Sequence, residues 1–232
     1  MLYPVPAVMV SCGRPEERPN IITVAWAGTV CSSPAMVSIS VRKERYSYDI
    51  LKETGEFVIN LITRDLTYAT DFCGVRSGRD VDKFAQMHLT PLPSQHISAP
   101  GIAESPVNLE CKVTQVIPLG SHDMFLAEVL GVTVDEKYMD ENGKFHLNDA
   151  GLVAYSHGEY FELGEKLGKF GYSVAKKQAA KTESVTKSAK PSGAGKKAAS
   201  AENRTASKTE AGNRRKSASK TGSADKQKSR RK

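Results

Sequence analysis

No run of apolar residues approaches the roughly 18 that a helical bilayer span requires, so a membrane-spanning helix is excluded from the reading. The opening residues carry no basic leader and are broken by Pro4 and Pro6, so they read poorly as a signal peptide and point to a cytoplasmic protein. Four cysteines, Cys12, Cys31, Cys73 and Cys111, stand 19, 42 and 38 positions apart. That spacing fits neither paired zinc ligands nor a redox CxxC, and reduced, mostly buried thiols are expected. His88, His96, His146 and His157 also lack metal-ligand spacing, so no metal centre is expected. After Val185 the chain holds no Val, Ile, Leu, Met or aromatic residue, which excludes a packed core there.

Charge is unevenly placed. The 232 residues carry a net charge of +7, yet 18 Lys/Arg and only 4 Asp/Glu follow Tyr172. The residues before Ser173 hold 15 basic and 22 acidic side chains, a balance of −7. An acidic body of residues 1–172, long enough to bury one core without disulfides, is therefore expected to carry a disordered Lys/Ala/Ser-rich basic tail over residues 173–232.

Within the body, Ala7–Cys12 and Ile22–Ala27 are short apolar runs, and Val37–Val41 alternates V-S-I-S-V at the period of a half-buried strand. Ser47 is placed to cap a helix starting at Tyr48, with Gly55 as its stop, and Glu56–Leu61 reads as a buried strand. Asp65–Phe72 reads as a second short helix, and Cys73–Asp80 as a surface loop with two glycines and three charges. Val107–Val116 and Met124–Val134 are the longest strand candidates, and Asn142-Gly143 marks a turn. Strands with inserted helices and no regular βαβ alternation predict a mainly β fold, an antiparallel barrel rather than a doubly wound sheet.

The segment Asn20–Pro34 sets small hydroxyl and amide groups between apolar strands. A flat polar heterocycle bearing a phosphate needs such a surface, with cations for the phosphate, and Arg42, Lys43, Arg45 and Lys83 are the candidates.

At these residues the chain resembles the flavin reductase-like family with the FMN-binding split β-barrel, the flavoredoxin group above all. The landmarks are N-I-x-T-x-x-W at Asn20–Trp26, R-x-S-Y at Arg45–Tyr48, and G-E-F-V-x-N at Gly55–Asn60. S-G-R-D-x-D-K-F at Ser77–Phe84, G-S-H at Gly120–His122 and L-G-x-F-G-Y at Leu167–Tyr172 follow in order. The resemblance implies a homodimer of split barrels holding FMN near the subunit interface. Trp26 is then expected against the flavin ring, with Asn20 and Thr23 shaping the pocket. Thr29, Val30, Cys31 and Ser32 would serve the pyrimidine edge and ribityl chain. The same resemblance places the Ser47 hydroxyl on the phosphate at a helix start, where backbone amides and the helix dipole favour an anion. Arg45 and Lys83 would complete neutralisation, and Tyr155 falls where the family has an aromatic residue near the flavin.

His122 matches the histidine of the family's G-D-H motif, with Ser121 in place of the Asp. In reductase members that histidine lies close to the flavin and the incoming nicotinamide, whereas flavoredoxin-like members exchange electrons with protein partners. NAD(P)H or an electron-transfer protein is therefore the expected partner of an FMN-dependent oxidoreductase. Two other readings stay beside it. One is a non-enzymatic FMN-binding module. The other is a nucleic-acid-associated protein acting through the basic tail, whose clusters such as Arg214-Arg215-Lys216 neutralise phosphates without reading bases.

Overall fold

A computed structural model describes residues 2–14 and 17–175. Among these residues twelve strands and three α-helices succeed one another. The first are β1 (Val5–Pro6), β2 (Val8–Cys12), β3 (Asn20–Val24), β4 (Ala27–Ser32), β5 (Ala35–Arg42), α1 (Tyr46–Thr54) and β6 (Glu56–Leu61). Then come α2 (Thr67–Val75), α3 (Lys83–Gln86), β7 (Pro91–Leu92), β8 (Gly101–Ile102), β9 (Val107–Pro118), β10 (His122–Val134), β11 (Val153–Ser156) and β12 (Glu159–Glu162).

Seven strands form one antiparallel sheet in the order β3-β2-β6-β9-β10-β5-β4. Its two edges, β3 and β4, are consecutive in the chain and joined by only Ala25 and Trp26. Neighbouring Cα atoms stand about 3.8 Å apart, so two linking residues force the opposite edges of the sheet together. The sheet therefore curls on itself without closing its hydrogen-bond ladder, which is a barrel split at Trp26. The Ser40 amide donates to the Trp26 carbonyl at 2.8 Å and pins this corner to β5.

Alternation along β2 sorts its side chains between two cores. Val8, Val10 and Cys12 join Ile39, Phe57 and Phe125 inside the curl, whereas Ala7 and Met9 join Ile21, Leu66 and Phe84 beneath α2 and α3. Burial on both faces explains why β2 reads as a continuous apolar run. On α2, Gly74 lets the helix lie against β3, since a Cβ there would stand 3.2 Å from the Thr23 Cβ.

Several sequence expectations are corrected. The apolar run Ile22–Ala27 is not one strand: β3 ends at Val24 and the chain breaks at Trp26 before β4. Helix α1 starts at Tyr46 rather than Tyr48, with Arg45 at the N-cap and no side-chain cap, and Ser47 lies inside its first turn. The packing of Ser47 into the core takes its hydroxyl from the cap. The second helix is a 3-10 turn, Arg64–Leu66, running into α2, which extends through Cys73-Gly74-Val75 because the burial of Cys73 and the close fit of Gly74 hold that turn. The Gly55 stop is as expected: φ is +64° and its amide donates to the Leu51 carbonyl at 3.0 Å. Among the described residues all four cysteines are unpaired, and three are buried. The basic tail from Lys176 onward lies outside the described residues.

Candidate functional site

The loop after β5 and the first turn of α1 meet the loop after α2 over β3, and a cavity of about 320 Å³ lies between them. Asn20 of β3, Arg45 at the N-cap of α1, Ser47 of α1, Lys83 of α3, and Arg76 and Arg79 of the loop all face it. A second, smaller depression of about 140 Å³ lies at the split of the barrel, lined by Thr23, Trp26, Ser40 and His122. Ile22, Arg42 and Arg45 line both, so the two spaces adjoin.

The larger space is built for an anion. Arg42, Arg45, Arg76, Arg79 and Lys83 surround it against one carboxylate, Glu44. Glu44 pairs with Arg42 at 3.2 Å, and among the described residues no carboxylate pairs with the other four cations. The first amides of α1, which have no partner inside the helix, add their partial positive charge. Lys83 is the buried member, 3% exposed, with Nζ donating to the Ile21 carbonyl at 2.6 Å and the Cys73 carbonyl at 2.7 Å. Burial pulls its ammonium down to about 8, and the nearby Arg45 lowers it further while Cys73 and Cys12 oppose this. A buried ammonium held by neutral carbonyls beside a cation-walled cavity lacks only a negative partner.

Ser47 is 1% exposed and accepts a hydrogen bond from the Asn20 amide at 2.7 Å. The hydroxyl also stands by the Cys12 thiol, which burial pushes up to about 11. Asn20 and Ser47 together lock β3 to α1 under the cavity floor. The loop is locked from above: Arg18 donates to the Gly78 carbonyl at 2.8 Å, and the Arg79 guanidinium lies 5.4 Å over the Tyr46 ring and donates to the Glu44 carbonyl at 3.2 Å.

The smaller space adds a flat wall to the two arginines that it shares with the larger one. Trp26 is 43% exposed, unusual for the sole tryptophan, with Ile22, Val24 and Val41 around it. The Ser121 hydroxyl stands 2.9 Å from Nδ1 of His122 and fixes the ring orientation at the start of β10. The next residue, Asp123, faces the opposite side of the sheet and accepts from the Tyr48 hydroxyl at 2.6 Å. This bond holds Asp123 below its usual range and pushes Tyr48 up to about 12, and it ties β10 to α1.

The structure brings Asn20, Thr23, Trp26, Arg45, Ser47, Lys83 and His122 to these two spaces, with Thr23 turning its hydroxyl to the Thr70 carbonyl. Arg42 joins both, whereas Lys43 pairs with Asp123 at 3.3 Å. Thr29, Val30, Cys31 and Ser32 line neither space: they lie along the outward edge strand β4. Tyr155 reaches the site only indirectly, its ring 6.1 Å from Tyr3, which in turn is 6.2 Å from Trp26. Sequence reasoning missed Arg76, Arg79 and Tyr46. The signal was present in Arg76-Ser77-Gly78-Arg79, where two cations flank a glycine, but nothing local showed that the loop folds back over β3.

The description "Flavin reductase like domain" fits residues 1–164. An uncharacterized protein of Archaeoglobus fulgidus is 31% identical over 160 residues, 69% of this chain and 88% of its own length. Another, of Pyrococcus abyssi, is 28% identical over 167 residues, 72% of this chain and 95% of its own length. The structure of flavoredoxin from Desulfovibrio vulgaris (Miyazaki F) superposes with a TM-score of 0.70 at 34% identity, covering 75% of this chain and 95% of that one. Nitrilotriacetate monooxygenase component B of Bacillus cereus, at 23% identity and a TM-score of 0.66 over 72% of this chain and 88% of that one, shares the fold.

Proposed function

The chain belongs to the flavin reductase-like family, a flavin-binding family of the split-barrel fold, and from that premise we propose that it is an FMN-dependent oxidoreductase working as a homodimer. The observation that carries this reading is the pairing of a cation-walled cavity at the α1 N-terminus with an adjoining flat-walled depression at Trp26 and His122. The residues present fit the group. Lys83, Arg45, Asn20, Ser47 and the first amides of α1 would hold the phosphate. Trp26, with Ile22 and Val41, would frame the ring, and the polar rim of the split would hold its edge.

When bound, FMN supplies hydride or single-electron chemistry at its ring, and the protein's part is orientation and electrostatics. Burial of Lys83 and Ser47 excludes water from the phosphate end. His122, oriented by Ser121, would meet an incoming nicotinamide. The likeness to flavoredoxin at 34% identity supports an electron-transfer partner beside NAD(P)H as donor.

Steady-state oxidation of NADH and NADPH with FMN tests the enzymatic part. His122→Ala is expected to slow flavin reduction by about 100-fold or more, the lower end for a positioned proton-handling group. A variant turning over at the parent rate removes His122 from catalysis. Bound flavin with no turnover in the parent protein assigns a carrier role instead.

A further inference from the structure

The FMN phosphate, on the reading above, does not use all of the charge that surrounds the cavity. Five cations against one carboxylate leave four positive charges, while a phosphate monoester brings at most two negative ones. The cations also fall into two groups. Lys83 and Arg45 adjoin the floor made by Asn20, Ser47 and the start of α1, whereas Arg76 and Arg79 stand on the loop opposite, on either side of Gly78. That loop is fixed rather than trailing. Gly78 leaves no room for a side chain, with a Cβ 2.1 Å from Asn20 Oδ1, and Arg18 and Tyr46 hold it from both sides.

The geometry points to a second phosphate subsite, formed by Arg76 and Arg79, that holds a phosphate of the nicotinamide dinucleotide donor beside the flavin phosphate. FAD in place of FMN would not cancel the remainder, because its two phosphodiester groups carry two charges in all, the same as the monoester. A separate phosphate-bearing molecule does cancel it, either through its pyrophosphate or through the 2′-phosphate that distinguishes NADPH from NADH. Guanidinium groups suit this role, since they match phosphate oxygens two at a time. Arg76 and Arg79 would then be specificity-determining residues for the donor.

The test is isothermal titration of FMN-loaded full-length protein with ADP-ribose and with its 2′-phosphate, in the parent and in R76A/R79A, with FMN affinity measured on the same samples. At least one probe is expected to bind the parent and to bind the variant about tenfold or more weakly, as for the loss of charge-assisted hydrogen bonds. A loss confined to the 2′-phosphorylated probe assigns the subsite to that phosphate; equal losses assign it to the pyrophosphate. Absence of binding by both probes to the FMN-loaded parent, or unchanged affinity in the variant, overturns the inference. A variant whose FAD-to-FMN preference shifts while both probes bind as before overturns it too, giving the arginines to the flavin. Failure of the parent to take up FMN would instead sink the flavin reading itself.

Discussion

The ammonium of Lys83 sits inside the protein with two carbonyls for company and no carboxylate. Its proton is held with a value of about 8 where an exposed lysine has 10.5, because burial disfavours the charge. The unfolded chain therefore binds more protons than the folded one between these limits, so the cost of burying the charge is fully present below pH 8 and is relieved as pH rises toward 10.5. A bound phosphate reverses the preference by giving the ammonium its partner. FMN affinity is expected to rise as the phosphate loses its second proton near pH 6, to level off, and then to fall up to tenfold per unit above pH 8. Fluorescence titrations from pH 6 to 10 check this, and Lys83→Met is expected to abolish the fall above pH 8. A parent protein whose affinity is flat from 8 to 10 would show that Lys83 does not face the phosphate. The residue itself was legible in the K-F of the loop motif, but its burial was not, since a lysine in a charged loop reads as solvated until the fold sets β3 and α2 around it.

Between elements, the site depends on how closely the loop after α2 approaches β3 and α1. Gly78→Ala would place a Cβ 2.1 Å from Asn20 Oδ1 and 2.7 Å from the Tyr46 ring, neither of which can yield without breaking the Asn20–Ser47 bond or the Arg79–Tyr46 stack. The substitution is expected to cost about 1–3 kcal/mol of stability, the usual range for overpacking. It should also weaken FMN about tenfold by displacing Asn20 and its bond to Ser47 beneath the flavin phosphate. Thermal melts and flavin titration of the same variant measure the two effects, and a variant matching the parent in both would mean that the loop is not docked as described. The strands were readable from the chain because their alternation is local, as at V-S-I-S-V in β5. The break between β3 and β4 was not, because an apolar Ala25-Trp26 continues the pattern while tertiary closure demands a corner there. For the same reason Gly74 reads as a loop residue, although its role is a close helix–strand contact. Residues Thr29–Ser32, which the resemblance sets by the pyrimidine edge of the flavin, lie along the outward edge strand β4.

Across the molecule, charge and fold divide the work. The body before Ser173 is acidic by seven charges, yet five cations converge on one cavity. Such a local inversion attracts a phosphate while the remainder repels anions, which focuses the ligand on its site. Fold and family were legible because six short motifs occur in order across the body; the cavity's second group of cations was not, because it exists only once α2 and α1 are brought together over β3. Uptake of FMN by the purified full-length protein tests this account most directly, by absorbance of the protein as isolated and by quenching of FMN fluorescence on titration. A yellow protein, or one that saturates with one FMN per chain and releases FMN on denaturation, is the expected result. A colourless protein that leaves the fluorescence of excess FMN unchanged would contradict it.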